Sequence, residues 1–129
     1  MFDRAAAIMT LASLGADIEA MNGDGSAPLH DAARSGQVSA IEALVGLGAS
    51  VNVEEPKSGL TPLHLAANFH HVRAIKALVA LGASLEAKDC DGDTPLDGAR
   101  ICSGDATRKR EAVAALELLR GTQTDGARK

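Results

Sequence analysis

Gly59-Leu-Thr-Pro-Leu-His-Leu-Ala-Ala67, followed by Asn68-Phe-His-His71 and Val72-Arg-Ala-Ile-Lys-Ala-Leu-Val-Ala-Leu-Gly-Ala83, is the stretch whose reading decides the fold. A weaker copy lies upstream, from Ala27-Pro28-Leu29-His30-Asp31-Ala32-Ala33 through Val38, Ile41, Leu44 and Val45 to Gly48-Ala49, and a third copy begins at Thr94-Pro95-Leu96. The prolines of the three copies fall at 28, 62 and 95, steps of 34 and 33 residues. A fixed period of that length, holding a turn and two helices per unit, predicts a stacked array. Each proline opens the first helix of its unit, where a missing N–H costs nothing.

The T-P-L-H-x-A-A string, the period and the Gly-Ala after the second helix recur in phase over about residues 4–121. Together they resemble the ankyrin repeat. The resemblance implies an all-α solenoid of stacked helix-turn-helix units with β-hairpin or turn fingers projecting from one edge. On this register 1–121 is a single domain. It divides into a half repeat at 1–22, repeats at 23–55 and 56–88, and a divergent C-terminal capping repeat at 89–121, with 122–129 a disordered tail.

Composition agrees with this expectation. Hydrophobic residues make up 46% of the 129, yet the only aromatics are Phe2 and Phe69, so Ala, Leu, Val and Ile must build the core. A chain of this size is expected to bury roughly two thirds of its unfolded surface. No apolar stretch is long enough to span a membrane.

Arg4 followed by Ala5-Ala-Ala-Ile-Met-Thr-Leu-Ala-Ser-Leu-Gly-Ala16 resembles a poor signal peptide, but its apolar stretch is short and broken by Thr10 and Ser13. The repeat register accounts for it better. Ile8 and Leu11 precede Gly15 by the spacing at which Ile41 and Leu44 precede Gly48, so this reads as the second helix of an incomplete first repeat, with Asp3 as its cap and Phe2 as its staple. Cys90 and Cys102 have no spacing that pairs them, and free thiols in a reducing, cytoplasmic setting are expected.

Asn22-Gly-Asp-Gly25, Pro56-Lys-Ser-Gly59 and Asp89-Cys-Asp-Gly92 supply the sharp turns between units. Asp89-Cys-Asp91-Gly-Asp93 looks at first like a calcium loop. The glycine at position six and the glutamate at position twelve of that motif are here Thr94 and Arg100, so it reads as a fingertip and no metal or cofactor is expected. His30 and His64 recur at one helical position per repeat, which favours structural hydrogen bonding over catalysis or metal ligation. His71 matches the family's histidine at the start of the second helix. His70 replaces the glycine that Gly36 keeps between helices, a site that asks for left-handed backbone.

In the last repeat Asp97 replaces the motif histidine, Gly98 the following leucine, and Arg100 an alanine; these polar swaps read as a cap over an outer face. The link between its helices is lengthened around Ser103-Gly-Asp-Ala-Thr107. After it, Arg108 to Arg120 reads as a helix with Ala112, Ala115, Leu116 and Leu119 on one face.

Residues 1–98 carry six Lys/Arg against thirteen Asp/Glu, and 99–129 carry seven against four. With that balance and no aromatic platforms, nucleic acid binding is not expected. The run Arg108-Lys-Arg110 reads as a solvated face, with an acidic partner as the alternative. No phosphate-cradling loop, nucleophile pair or fixed carboxylate pair emerges, so no enzyme is expected. What the resemblance implies is a monomeric protein-interaction module with a protein partner and no membrane partner; the alternative is a capping or spacer fragment of a longer array. Carried over position by position, its contact residues are Asp24, Ser26, Arg34 and Ser35; Lys57, Ser58, Leu60, Asn68 and Phe69; and Cys90, Asp91, Asp93, Ile101 and Cys102. Phe69 either anchors a partner or fills a gap left by the alanines, and the sequence leaves both readings open.

Overall fold

A computed structural model describes residues 21, 23 and 25–128, those beyond Arg120 through their backbone alone. The expected N-terminal helix and Asp24 lie outside the described residues. Six helices are described: α1 Pro28–Arg34, α2 Val38–Gly46, α3 Pro62–Asn68, α4 Val72–Ala80, α5 Pro95–Ile101 and α6 Ala106–Arg128. No strand occurs among the described residues; the fingers between pairs are turns. The fold is an all-α stack. α1, α3 and α5 pack side by side in one layer, and α2, α4 and α6 pack in a second.

Local chemistry starts each first helix. Thr61 precedes Pro62, its Oγ1 accepts from the His64 amide at 3.3 Å, and the His64 Nδ1 accepts from the Thr61 amide at 3.1 Å. This is a capping box in which histidine takes the place of the usual glutamate. At α1 the capping residue is Ala27, which has no side-chain acceptor, so only the return half survives, from Ala27 N–H to His30 Nδ1 at 3.0 Å. At α5 the box is Thr94 with Asp97, whose carboxylate accepts from the Thr94 amide at 3.1 Å.

The two full motif histidines do more than cap. His30 Nε2 reaches the carbonyls of Val53 and Leu60, both at 3.0 Å, and His64 Nε2 donates to the Asp93 carbonyl at 2.8 Å. Each ring therefore ties a helix start to the next finger. The Asp97 carboxylate has no donor with which to make such a bridge, and no further finger lies beside α5 among the described residues.

Small side chains let the helices approach. Ala33, Ala40, Ile41, Leu63, Ala66, Ala67, Ala74, Ile75, Leu78, Ala99 and Ala112 are fully buried, in one continuous core. Complete burial of Leu or Ile stabilises by roughly 1.5–3 kcal/mol each. Between α1 and α2, and between α3 and α4, the chain reverses through a left-handed residue, Gly36 at φ 69° and His70 at φ 57°. His70 thus adopts the conformation expected of the glycine it replaces.

The link ahead of the last helix ends at Asp105, whose Oδ1 accepts from the Thr107 amide at 2.8 Å. α6 therefore begins two residues earlier than the periodicity indicates, with Ala112, Ala115 and Leu116 buried as expected. Its backbone continues as helix to Arg128, through residues read from composition as a disordered tail; nothing between Thr122 and Arg128 is a proline.

Candidate functional site

The layer of first helices and the fingers enclose a groove of about 620 Å³. Leu60, at the base of a finger, and Leu65 and Phe69, from α3 and its end, give it apolar surface. The opposite wall is the link Cys102–Asp105, and Arg34 and Arg108 stand at its margins. Phe69 closes α3 as its C-terminal cap residue and is 50% exposed, its ring stacked on His71 at 6.4 Å with 22° between planes. The ring is thus held from one side and open on the other.

Two adjacent histidines position this site by reaching in opposite directions. His71 Nε2 donates back to the Arg34 carbonyl at 2.9 Å, across the place where a Cβ on Gly36 would lie 2.7 Å from its ring. His70, only 3% exposed, donates forward from Nε2 to the Ala99 carbonyl at 3.1 Å, and a Cβ on Gly104 would come within 2.9 Å of its Nδ1. The glycine in the inserted link is therefore the seat of the His70 ring, and the ring fixes the wall of the groove.

Asn68 packs similarly against Gly98, where a Cβ would fall 2.1 Å from its amide oxygen. Gly98, read from the sequence as one of the polar swaps of a cap, makes room for a neighbouring side chain. The Asn68 Oδ1 is buried with no hydrogen-bond partner among the described residues.

Of the residues carried over as contacts, Arg34, Leu60, Asn68, Phe69 and Cys102 come together in the groove. Ser35, Lys57, Cys90 and Asp91 are exposed, and Asp93 is half-buried. Ile101 is 66% exposed but lies outside the groove lining. Ser26 requires a correction. It is 2% exposed, and its hydroxyl donates to Glu55 in a short hydrogen bond, so it joins one finger to the next and is not offered to a partner. Ser58 also turns inward, donating to Glu55 at 2.9 Å.

Glu55 is a buried carboxylate with enough partners to remain charged. Burial acts to raise its pKa, but the hydroxyls of Ser26 and Ser58, with the charge of Arg34, outweigh that and hold it below the usual range. At the other finger Asp93 moves the opposite way, raised by desolvation and by the charges of Asp89, Asp97 and Asp91. Carboxylate oxygens of Asp89, Asp91 and Asp93 lie within 4.8 Å of one another. One Asp89 oxygen accepts from the amides of Asp91 and Asp93 at 2.9 and 3.0 Å, which braces the turn. Cys90 and Cys102 are free thiols.

Sequence reasoning missed Leu65 and the Ser103–Asp105 wall, and it placed neither His70, read only as a left-handed turn residue, nor Arg108, read as part of a solvated basic run, beside Phe69. The available signal was the inserted link itself, since residues added between two packed helices must lie against a neighbouring repeat or project into water.

Residues 29–116 match the family described as Ankyrin repeats (3 copies). The chain belongs to the ankyrin-repeat family. Ankyrin repeats are protein-interaction modules and are generally not enzymes. Among curated proteins, similar sequences include the NF-kappa-B inhibitor cactus of Drosophila yakuba and that of Drosophila melanogaster, each 44% identical over 59 residues. That alignment covers 46% of this chain and 12% of each relative, so the ankyrin chain spans about an eighth of their length. No helix among the described residues is long and apolar enough to cross a membrane.

Proposed function

We propose that this chain is a non-catalytic, monomeric, cytoplasmic interaction module that binds a protein partner through its concave face and finger loops. It has no nucleic acid or membrane partner. Its contact surface comprises Arg34, Ser35, Lys57, Leu60, Asn68, Phe69, Cys90, Asp91, Asp93 and Cys102, on an array divided as 1–22, 23–55, 56–88 and 89–121. The observation that carries the reading is Phe69, a half-exposed aromatic backed by His71 and bordered by Leu60 in a preformed groove. Supporting the absence of catalysis, both ring nitrogens of His30 and His64 are engaged in backbone hydrogen bonds, which leaves them holding the stack together. Relatives described as inhibitors of NF-kappa-B support action by contact, not by chemistry.

Site-specific photocrosslinking tests this. A photoreactive residue at position 69 is expected to capture one discrete protein in the native cell extract, whereas the same residue at Lys76, exposed on α4, captures none. Capture from position 76 alone would move the interface to the other layer. Capture from neither would favour a spacer within a longer array.

A further inference from the structure

The charges around the groove are unevenly matched. Arg34 is paired with Asp31 at 2.8 Å and with Glu55 at 3.4 Å. Asp105 is occupied as the cap of α6, accepting from the amides of Thr107 and Arg108. Arg108 differs: it is exposed, no carboxylate among the described residues lies within ion-pair reach of it, and its guanidinium donates to His71 Nδ1 at 3.2 Å. His71 Nε2 carries the proton given to the Arg34 carbonyl, so Nδ1 offers a lone pair but no countercharge. Arg108 also sits in the first turn of α6, where the helix dipole is positive and a cation is mildly destabilising. An anion placed there would relieve both conditions.

We propose that the groove receives a segment of the partner protein in which an acidic side chain neighbours an aliphatic or aromatic anchor. The anchor lies against Phe69 and Leu60, and the carboxylate pairs with Arg108. This rests on the concave-face reading above and adds to it the chemistry of the partner. It also gives the bound segment a direction. Its acidic end faces Arg108 at the start of the last helix, away from the fingertip at Asp89, Asp91 and Asp93, whose carboxylates would repel it.

Selection of random linear peptides against the intact chain, against Arg108→Glu and against Phe69→Ala tests the proposal, with circular dichroism confirming that each variant is folded. Against the natural chain, Asp or Glu beside an apolar residue is expected to be enriched. A selected acidic peptide should bind Arg108→Glu about tenfold more weakly at low salt, the difference shrinking as salt is added. Selection against Arg108→Glu should favour Lys or Arg at the same place, and Arg108→Gln should show neither preference. Peptides that need Phe69 but ignore Arg108→Glu would overturn this proposal and leave the concave-face reading standing. Peptides indifferent to both substitutions would overturn both, and enrichment without acidic residues, or none at all, counts against an acidic segment.

Discussion

The central pair α3/α4 and the last pair α5/α6 start from the same Thr-Pro-Leu signal and part at the next residue. His64 caps α3 with one nitrogen and ties down the Asp93 carbonyl with the other; Asp97 caps α5 and reaches no further. Ala67 is fully buried between neighbours, whereas Arg100, at the equivalent place, is exposed and pairs with Glu117 at 3.6 Å. A residue suited to being sandwiched gives way to one suited to water at the pair that has no further unit beside it among the described residues. In a solenoid, the core requirement at a given repeat position depends on whether another repeat covers it.

The largest effect expected from breaking this comparison is at Leu78, fully buried in α4 between α2 and α6. Leu78→Ala should cost about 2–5 kcal/mol. The same truncation at half-buried Leu119 in α6 should cost less than half as much, both read from urea denaturation at unchanged slope. Equal costs would remove the distinction between covered and uncovered repeats.

His64→Asp transplants the terminal solution into the centre. The cap survives, but the Asp93 carbonyl loses its donor, and stability should fall by about 1–3 kcal/mol. Asp97→His, the reverse exchange, should gain nothing comparable, since no finger follows α5 among the described residues. If both exchanges cost the same, the bridge to the next finger is not what the motif histidine contributes.

Phe69→Ala should lower stability by less than about 1 kcal/mol, because half of the ring already faces water, while weakening the partner captured in crosslinking by about 2 kcal/mol or more. A midpoint that drops as steeply as for Leu78→Ala, with affinity unchanged, would assign the ring to packing.

Acid should separate the two caps. Hydrogen bonds from the Thr94 amide and hydroxyl hold the Asp97 carboxyl below its ordinary value, against the opposing effect of burial. A depressed folded-state pKa means stability that is present above the unfolded value of about 3.9 and is lost as pH falls through the lower folded value. Asp97→Asn should therefore lower stability at neutral pH, where the ionised carboxylate contributes, and flatten part of the acid limb, so that the two proteins converge as pH falls. An acid limb identical to that of the natural chain would show that the carboxylate cap contributes nothing.

The smallest change is expected at the turn. His70→Gly relieves a left-handed backbone that glycine adopts freely but loses the bond to the Ala99 carbonyl, so the two should offset to within about 1 kcal/mol. Its sharper readout is the link: amides around Ser103 should exchange with solvent faster once the ring no longer fills the seat at Gly104.

The sequence by itself determined the repeat period, the paired helices, the alanine-rich core, the structural role of His30 and His64 and the left-handed backbone of His70, because each follows from rules that act within a few residues: a cap three positions on, a helical face, a backbone dihedral. It also indicated the divergence of the last unit through Asp97 and Arg100. Only the tertiary structure decided that Ser26 points inward to Glu55, that Gly98 seats Asn68, and that the link around Gly104 folds against His70 to wall a groove beside Arg108. Those outcomes join residues about 29 or more positions apart, and their partners come from the next repeat. A register of period 33 or 34 says which repeats touch, but whether a serine or an arginine at the seam turns inward depends on the charge and space its neighbour leaves, which exist only once the stack has closed.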